Sequence, residues 1–428
     1  MTVTRYEFPN GTEWISVHDT AELQFHIFWY ARMGQEKERK NEIEGMHLLE
    51  HLFFRGKSPE DTAQRCRRME KHGIDRDGNT HRSYCNGYLY GPVWLPDRHD
   101  HYKQIIEDAH FCITNENYHP HEFQIERQIV RQELMERRDE NRWIMMDEFM
   151  DKRMYNASRY GRSYDDAVKS LDRLTQRQVF ELRERLFRPQ NLTIITIGKV
   201  DDGKLDRIIQ KTFGAIPAAR PIEQYIWTPP PRQTFLEFDE KDIQTCFVQH
   251  TLRTAPPNKE DLPLLHILDH ALTGHRTSIL FQELRQKRGQ VYTPASSIGA
   301  GRPEMRLDIM YTCDEKFLQS TMHRKGNLEI VQEQFERLAT TPIPEEDFQL
   351  YRRFAIEHNE GQFDDPEKLG EWYGQNAAAG MFIKHTEFPQ LLKDVTAKQV
   401  RDKMHEWLPG NGTVILRPKG VTTRDPAT

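Results

Sequence analysis

Apolar positions recur along the 428-residue chain with two distinct periods. Leu23, Phe25 and Ile27 alternate with polar neighbours, the period-two pattern of a half-buried strand. Trp14-Ile15-Ser16-Val17 precedes them behind the turn signal Pro9-Asn10-Gly11, so the chain opens on a strand pair. After a charged stretch over 36–41, Met46, Leu49 and Phe53 recur at three- and four-residue spacing. That spacing predicts a helix over 43–54 with one apolar stripe.

A second pattern is longer. Thr175 and Gln178 lead through a charged helical stretch into the β-branched run 191–198, and Thr396 and Gln399 lead through another into 411–417. The threonines lie 221 positions apart and the following asparagines, Asn191 and Asn411, 220. Two homologous α+β halves are therefore expected, 1–222 and 223–428, joined by an extended linker around the prolines of 227–232.

Composition narrows the class. Large aromatic residues (7 Trp, 15 Tyr, 22 Phe) exclude a disordered chain despite 29% charged residues. A formal net charge of -6 argues against a dedicated nucleic-acid binder. No run approaches the roughly 18 apolar residues of a membrane span, and the first residues lack a signal-peptide core. Five scattered cysteines without CxxC spacing suit a reducing compartment, so a cytoplasmic protein is expected, without a thiolate metal site.

The predicted 43–54 helix carries His47-Leu48-Leu49-Glu50-His51. Residues four apart lie about 40° from each other around a helix, so both imidazoles can reach one Zn²⁺. Glu50 can then take a proton from a metal-activated water without being a ligand. A third protein ligand is needed. Glu126 and Glu133, seven apart on a second predicted helix, share a face; one can bind the metal while the other braces a histidine.

The stretch Gly45-Met46-His47-Leu48-Leu49-Glu50-His51 resembles the inverted HxxEH signature of the pitrilysin/insulinase metallopeptidases, which include mitochondrial processing peptidases. Phe8-Pro9-Asn10-Gly11 resembles the family's opening turn, and 126–133 its paired-glutamate element. This resemblance implies Glu133 as third ligand, Glu126 as supporting acid, and halves that are each a mostly antiparallel sheet covered by helices. In the second half, Leu280-Phe281-Gln282-Glu283-Leu284-Arg285 and the following Arg288-Gly289 and Tyr292 are similar to a further family segment. By that similarity Arg285 and Tyr292 face the substrate, where a phenol and a guanidinium can hold a developing oxyanion or a peptide carbonyl.

Three features depart from the family pattern. Asp77-Gly78-Asn79-Thr80 stands where an N-A-x-T strand is usual, and His275 interrupts a loop that is commonly glycine-rich. His266-Ile267-Leu268-Asp269-His270 mimics the metal helix 219 positions on, with His358 downstream; a duplication relic is the expected reading, since aspartate is shorter than a glutamate base. The resemblance implies a zinc endopeptidase cleaving small or unfolded peptides in a dimeric clamshell chamber. The partner would be a second copy, or a homologous subunit in a heterodimer. A non-catalytic subunit of the same fold, and a hydrolase of non-peptide esters or amides, are the competing expectations.

Overall fold

Residues 1–19, 21–94, 101–140, 143, 146, 164–200, 202–220, 236–240, 243–253, 257–301 and 304–418 are described by the structure, a computed structural model. The first half builds a sheet from β1 (Thr2–Glu7), β2 (Glu13–His18), β3 (Gln24–Ala31), β4 (Asp75–Thr80), β5 (Cys85–Pro92) and β6 (Leu192–Gly198). Its order is β1-β2-β6-β3-β5-β4, antiparallel except for β2 beside β6. The helices of this half are α1 (Gly45–Leu52), α2 (Pro59–Lys71), α3 (Tyr102–Thr114), α4 (Pro120–Glu140), α5 (Tyr164–Arg173), α6 (Gln176–Leu186) and α7 (Asp202–Thr212).

The second half repeats the plan. β7 (Leu236–Glu240), β8 (Cys246–Arg253), β9 (Ala295–Gly301), β10 (Glu304–Cys313) and β11 (Gly412–Pro418) are ordered β7-β11-β8-β10-β9, with the β7–β11 pair parallel. This matches β2-β6-β3-β5-β4 strand for strand. The accompanying helices are α8 (Leu262–Leu272), α9 (Asn327–Thr340), α10 (Glu345–Gln362), α11 (Pro366–Ala378), α12 (Phe388–Asp394) and α13 (Ala397–Trp407).

Local chemistry repeats as well. Thr175 and Thr396 each form a capping box with the glutamine three residues on, which satisfies two orphan donors at the start of α6 and of α13. On α4, Arg127 donates to the carbonyls of Asp172 and Leu174 and to the Gln124 side chain. On α10, Arg352 donates to the carbonyls of Lys393 and Val395 and to the Gln349 side chain. The α+β fold of two homologous halves is thus visible in topology and in individual bonds.

The chain divides into two compact units that are not contiguous in sequence. The first comprises Met1–Asp139, Arg162–Ile226 and Gln362–His385, the second Glu140–Gly161, Trp227–Gly361 and Thr386–Thr428. The expected linker at 227–232 and the boundary at 222/223 lie outside the described residues.

One expectation fails. β3 is not half-buried: every residue from Phe25 to Ala31 is buried, and Leu23 lies exposed before the strand. The cause is α11, which packs across β3 and β6 from far along the chain. Its Gly370 and Gly374 leave room for the rings of Phe28 and Tyr30, which a Cβ at either position would overlap. Ile27 and Trp29 point the other way, into the core with Leu49, Leu52, Phe53 and Ile105.

Candidate metal centre

The site begins with the way α1 starts. The predicted helix at 43 opens two residues later, because Glu44 adopts φ 68, the left-handed region that non-glycine residues rarely enter. Glu38 then accepts a hydrogen bond from the Met46 N–H at 2.6 Å, satisfying a first-turn donor. Met46, Leu48, Leu49 and Leu52 are buried in the core, which fixes the rotation of α1 and of His47 and His51 with it.

Both imidazoles are held from behind by carboxylates. His47 Nδ1 lies 3.0 Å from Glu44 Oε2, and His51 Nδ1 lies 3.0 Å from Glu126 Oε2. Glu126 is itself gripped by Arg55, which also reaches Glu122 at 3.3 Å. With each Nδ1 facing a carboxylate, the Nε2 atoms turn to a common point. Glu133 Oε2 lies 3.3 Å from His47 Nε2 and 3.2 Å from His51 Nε2. One ligand atom from each of the three residues falls within 4.8 Å of the others. Two imidazoles and one carboxylate, leaving a position open, form the donor set of a catalytic zinc site, and the carboxylates behind the imidazoles are the usual outer support.

Electrostatics agree with a site built for a cation. Burial would lower His47, but hydrogen bonds with Glu133 and Glu44 outweigh it and raise it to about 10. Burial likewise opposes His51, and Glu126 and Glu133 raise it to about 9. The two imidazoles hold the Glu133 carboxyl far below the usual range. Glu50 goes the other way: burial pushes it up, against a hydrogen bond with Thr80 on β4. Glu50 and His51 border a cleft of about 340 Å³ whose other walls include Phe54, Arg76 and Asp77. A Cβ at Gly78 would stand 3.0 Å from Glu50 Cγ, so the glycine lets β4 run close against this carboxylate.

The family model described as the peptidase M16 inactive domain matches residues 173–354. An uncharacterized zinc protease of Mycobacterium leprae is 22% identical over 318 residues, covering 73% of this chain and 69% of that protein. Crystal structures of a protease from Helicobacter pylori and of a peptidase M16 inactive domain from Pseudomonas fluorescens share the fold. Each has a TM-score of 0.81 at 16% identity; the first covers 97% of this chain and 99% of that one, the second all of both. Together these likenesses support a place for the chain in the pitrilysin/insulinase (M16) family.

Against this M16 frame, the residues singled out from sequence fall into two groups. His47, Glu50, His51, Glu126 and Glu133 come together in the first unit. Arg285 and Tyr292 lie in the second unit and meet each other: Arg285 donates to the Tyr292 carbonyl and to Thr293 Oγ1, and its guanidinium stacks 4.6 Å from the tyrosine ring centre. Tyr292 is 77% exposed, unusual for so large a ring. Asp77, on β4, lines the cleft beside Glu50 and His51. Sequence reasoning missed Glu44 and Arg55. Glu44 precedes the signature by a single helical turn, but only its left-handed backbone brings the carboxylate behind His47.

Proposed function

We propose that this chain is a zinc-dependent endopeptidase that hydrolyses small or unfolded peptides. The observation that carries the reading is the convergence of His47, His51 and Glu133 within 4.8 Å beside the half-buried Glu50. His47 Nε2, His51 Nε2 and Glu133 Oε2 would hold the ion, with Glu44 and Glu126 fixing the imidazoles. Zinc, when bound, supplies Lewis-acid polarisation of water and of the scissile carbonyl. Glu50 accepts the proton of the attacking water and returns it to the leaving amine, a task suited to a carboxyl raised by burial. The match to an inactive-domain model covers 173–354, from the end of the first half into the second, and includes none of these residues.

β4 supports a peptide as substrate. It is the last strand of its sheet, pairs with β5 alone among the described residues, and runs along the cleft. An extended peptide can add to such an edge by main-chain hydrogen bonds, which gives loose sequence preference and selects unfolded chains. In the same reading, the exposed Arg285–Tyr292 pair faces substrate, and a second copy of the chain closes the chamber.

Metal analysis joined to a peptide-cleavage assay tests the proposal. Glu50→Gln is expected to retain zinc and to lose about 10²–10⁴-fold in turnover. Full activity in that variant, or a native protein without zinc, would overturn the mechanism.

A further inference from the structure

The second unit carries its own converging histidines. The duplicated bonds of Arg127 and Arg352 set the equivalence of α4 and α10 at 225 positions, which puts His358 where Glu133 stands. On α8, His270 takes the place of His51 and Asp269 that of Glu50; Asp269 accepts from Ser296 on β9 at 2.5 Å, as Glu50 bonds Thr80 on β4. The parallel breaks at His266, the counterpart of His47. Its Nδ1 accepts from Asn359 at 3.3 Å and its ring packs on Phe388.

His275, from the loop after α8, stands in its stead. Its Nε2 lies 3.1 Å from His270 Nδ1, close to the ~3.3 Å that separates two nitrogens sharing a tetrahedral zinc at about 2.0–2.1 Å each. Gly274 makes this arrangement possible, since a Cβ there would lie 2.7 Å from His270 Nδ1. Phe354 stacks on His275 with ring centres 3.6 Å apart. The rings of His270 and His358 meet edge-on at 5.4 Å and 69°, against 5.1 Å and 68° for His47 and His51. His358 also interacts electrostatically with His275.

We propose that His270, His275 and His358 form a second metal site, which takes a divalent transition ion of the imidazole-binding class such as Zn²⁺. The site pins α10 to the loop after α8. Unlike the first trio, its three nitrogens do not stand within 4.8 Å of one another, and the exposed His358 side chain must turn toward the other two to close it. A relic of duplication accounts for His270 but not for His275, which has no counterpart in the first site.

Equilibrium dialysis of the tag-free full chain against Zn²⁺, with Co²⁺ absorption as a second readout, tests the assignment. The wild type is expected to hold two equivalents. His275→Ala and His358→Ala, both outside the core, are each expected to weaken one of them more than about 100-fold, beyond the 10–100-fold typical of changes behind a ligand. Peptide cleavage stays unchanged in both. His51→Ala removes the other equivalent. One equivalent lost in His51→Ala and untouched by His358→Ala would overturn the second site. One equivalent lost in His358→Ala and untouched by His51→Ala would instead uphold it and count against zinc at the first. Zinc in neither would overturn both.

Discussion

At the scale of single residues, the candidate metal centre of the first unit depends on groups that are not among its three ligand atoms. Glu126 and Glu44 each occupy the Nδ1 side of an imidazole, so each decides which nitrogen is presented to Glu133 and at what angle. Their removal leaves all three ligand atoms in place but lets a ring turn. Glu126→Gln and Glu44→Gln are therefore expected to lower zinc affinity by about 10–100-fold while leaving the fold intact. Competition with a chromophoric chelator measures this, and unchanged affinity in both variants would show that packing alone orients the rings. Arg55 adds a consequence: Glu126→Gln also removes the charge of one of the two carboxylates that its guanidinium reaches.

At the scale of elements, the most consequential packing in the first unit is that of α11 on the sheet. Phe28 and Tyr30 lie against bare backbone at Gly370 and Gly374, where a Cβ would stand 2.3 and 2.0 Å from their rings. Gly374→Ala is expected to cost about 1–3 kcal/mol through overpacking. Gly361, on α10, has open space around it, so Gly361→Ala should be neutral or stabilising by roughly 0.5–1 kcal/mol. Denaturant midpoints of the two variants check the contrast, and equal midpoints would refute it. The same helix shows where sequence stops informing. The alternation of Leu23, Phe25 and Ile27 is a true strand signal, yet nothing local says that a segment over 300 residues later covers its other face. His47 and His51 were legible because i, i+4 spacing fixes geometry within one helix. Spacing made Glu126 and Glu133 legible only as a pair, since which of them points at the two Nε2 atoms depends on how α4 is rotated against α1; the assignment of Glu133 came from the family resemblance. Glu44 was illegible because its role comes from a backbone conformation that its residue type does not announce.

At the scale of the whole molecule, one buried histidine in each unit adds to that unit's sensitivity to acid. His26 on β3 is enclosed by Phe28 and Tyr90, and neither of its ring nitrogens has a hydrogen-bond partner among the described residues. Burial lowers it to about 4, outweighing the opposing charge of Asp365. His250 on β8 sits between Thr413 and Tyr311, at 2.8 and 3.2 Å, and burial lowers it to about 3. Both are neutral in the fold and titrate near 6.5 once unfolded. The unfolded chain therefore takes up protons that the folded chain refuses. The contribution of each of these neutral histidines is full above pH 6.5 and falls as the pH drops toward the folded value, by about 2 kcal/mol per histidine at pH 5. Thermal unfolding at pH 7 and pH 5 should show this loss in the transitions of both units. His26→Phe, which keeps the ring and removes the titration, should take the share of His26, about 2 kcal/mol, out of the first unit's loss at pH 5 and leave the second unit's slope as it was. An unchanged slope for the first unit in that variant would mean that His26 is protonated in the fold, and that its burial between two aromatic rings is tolerated through a partner other than Asp365.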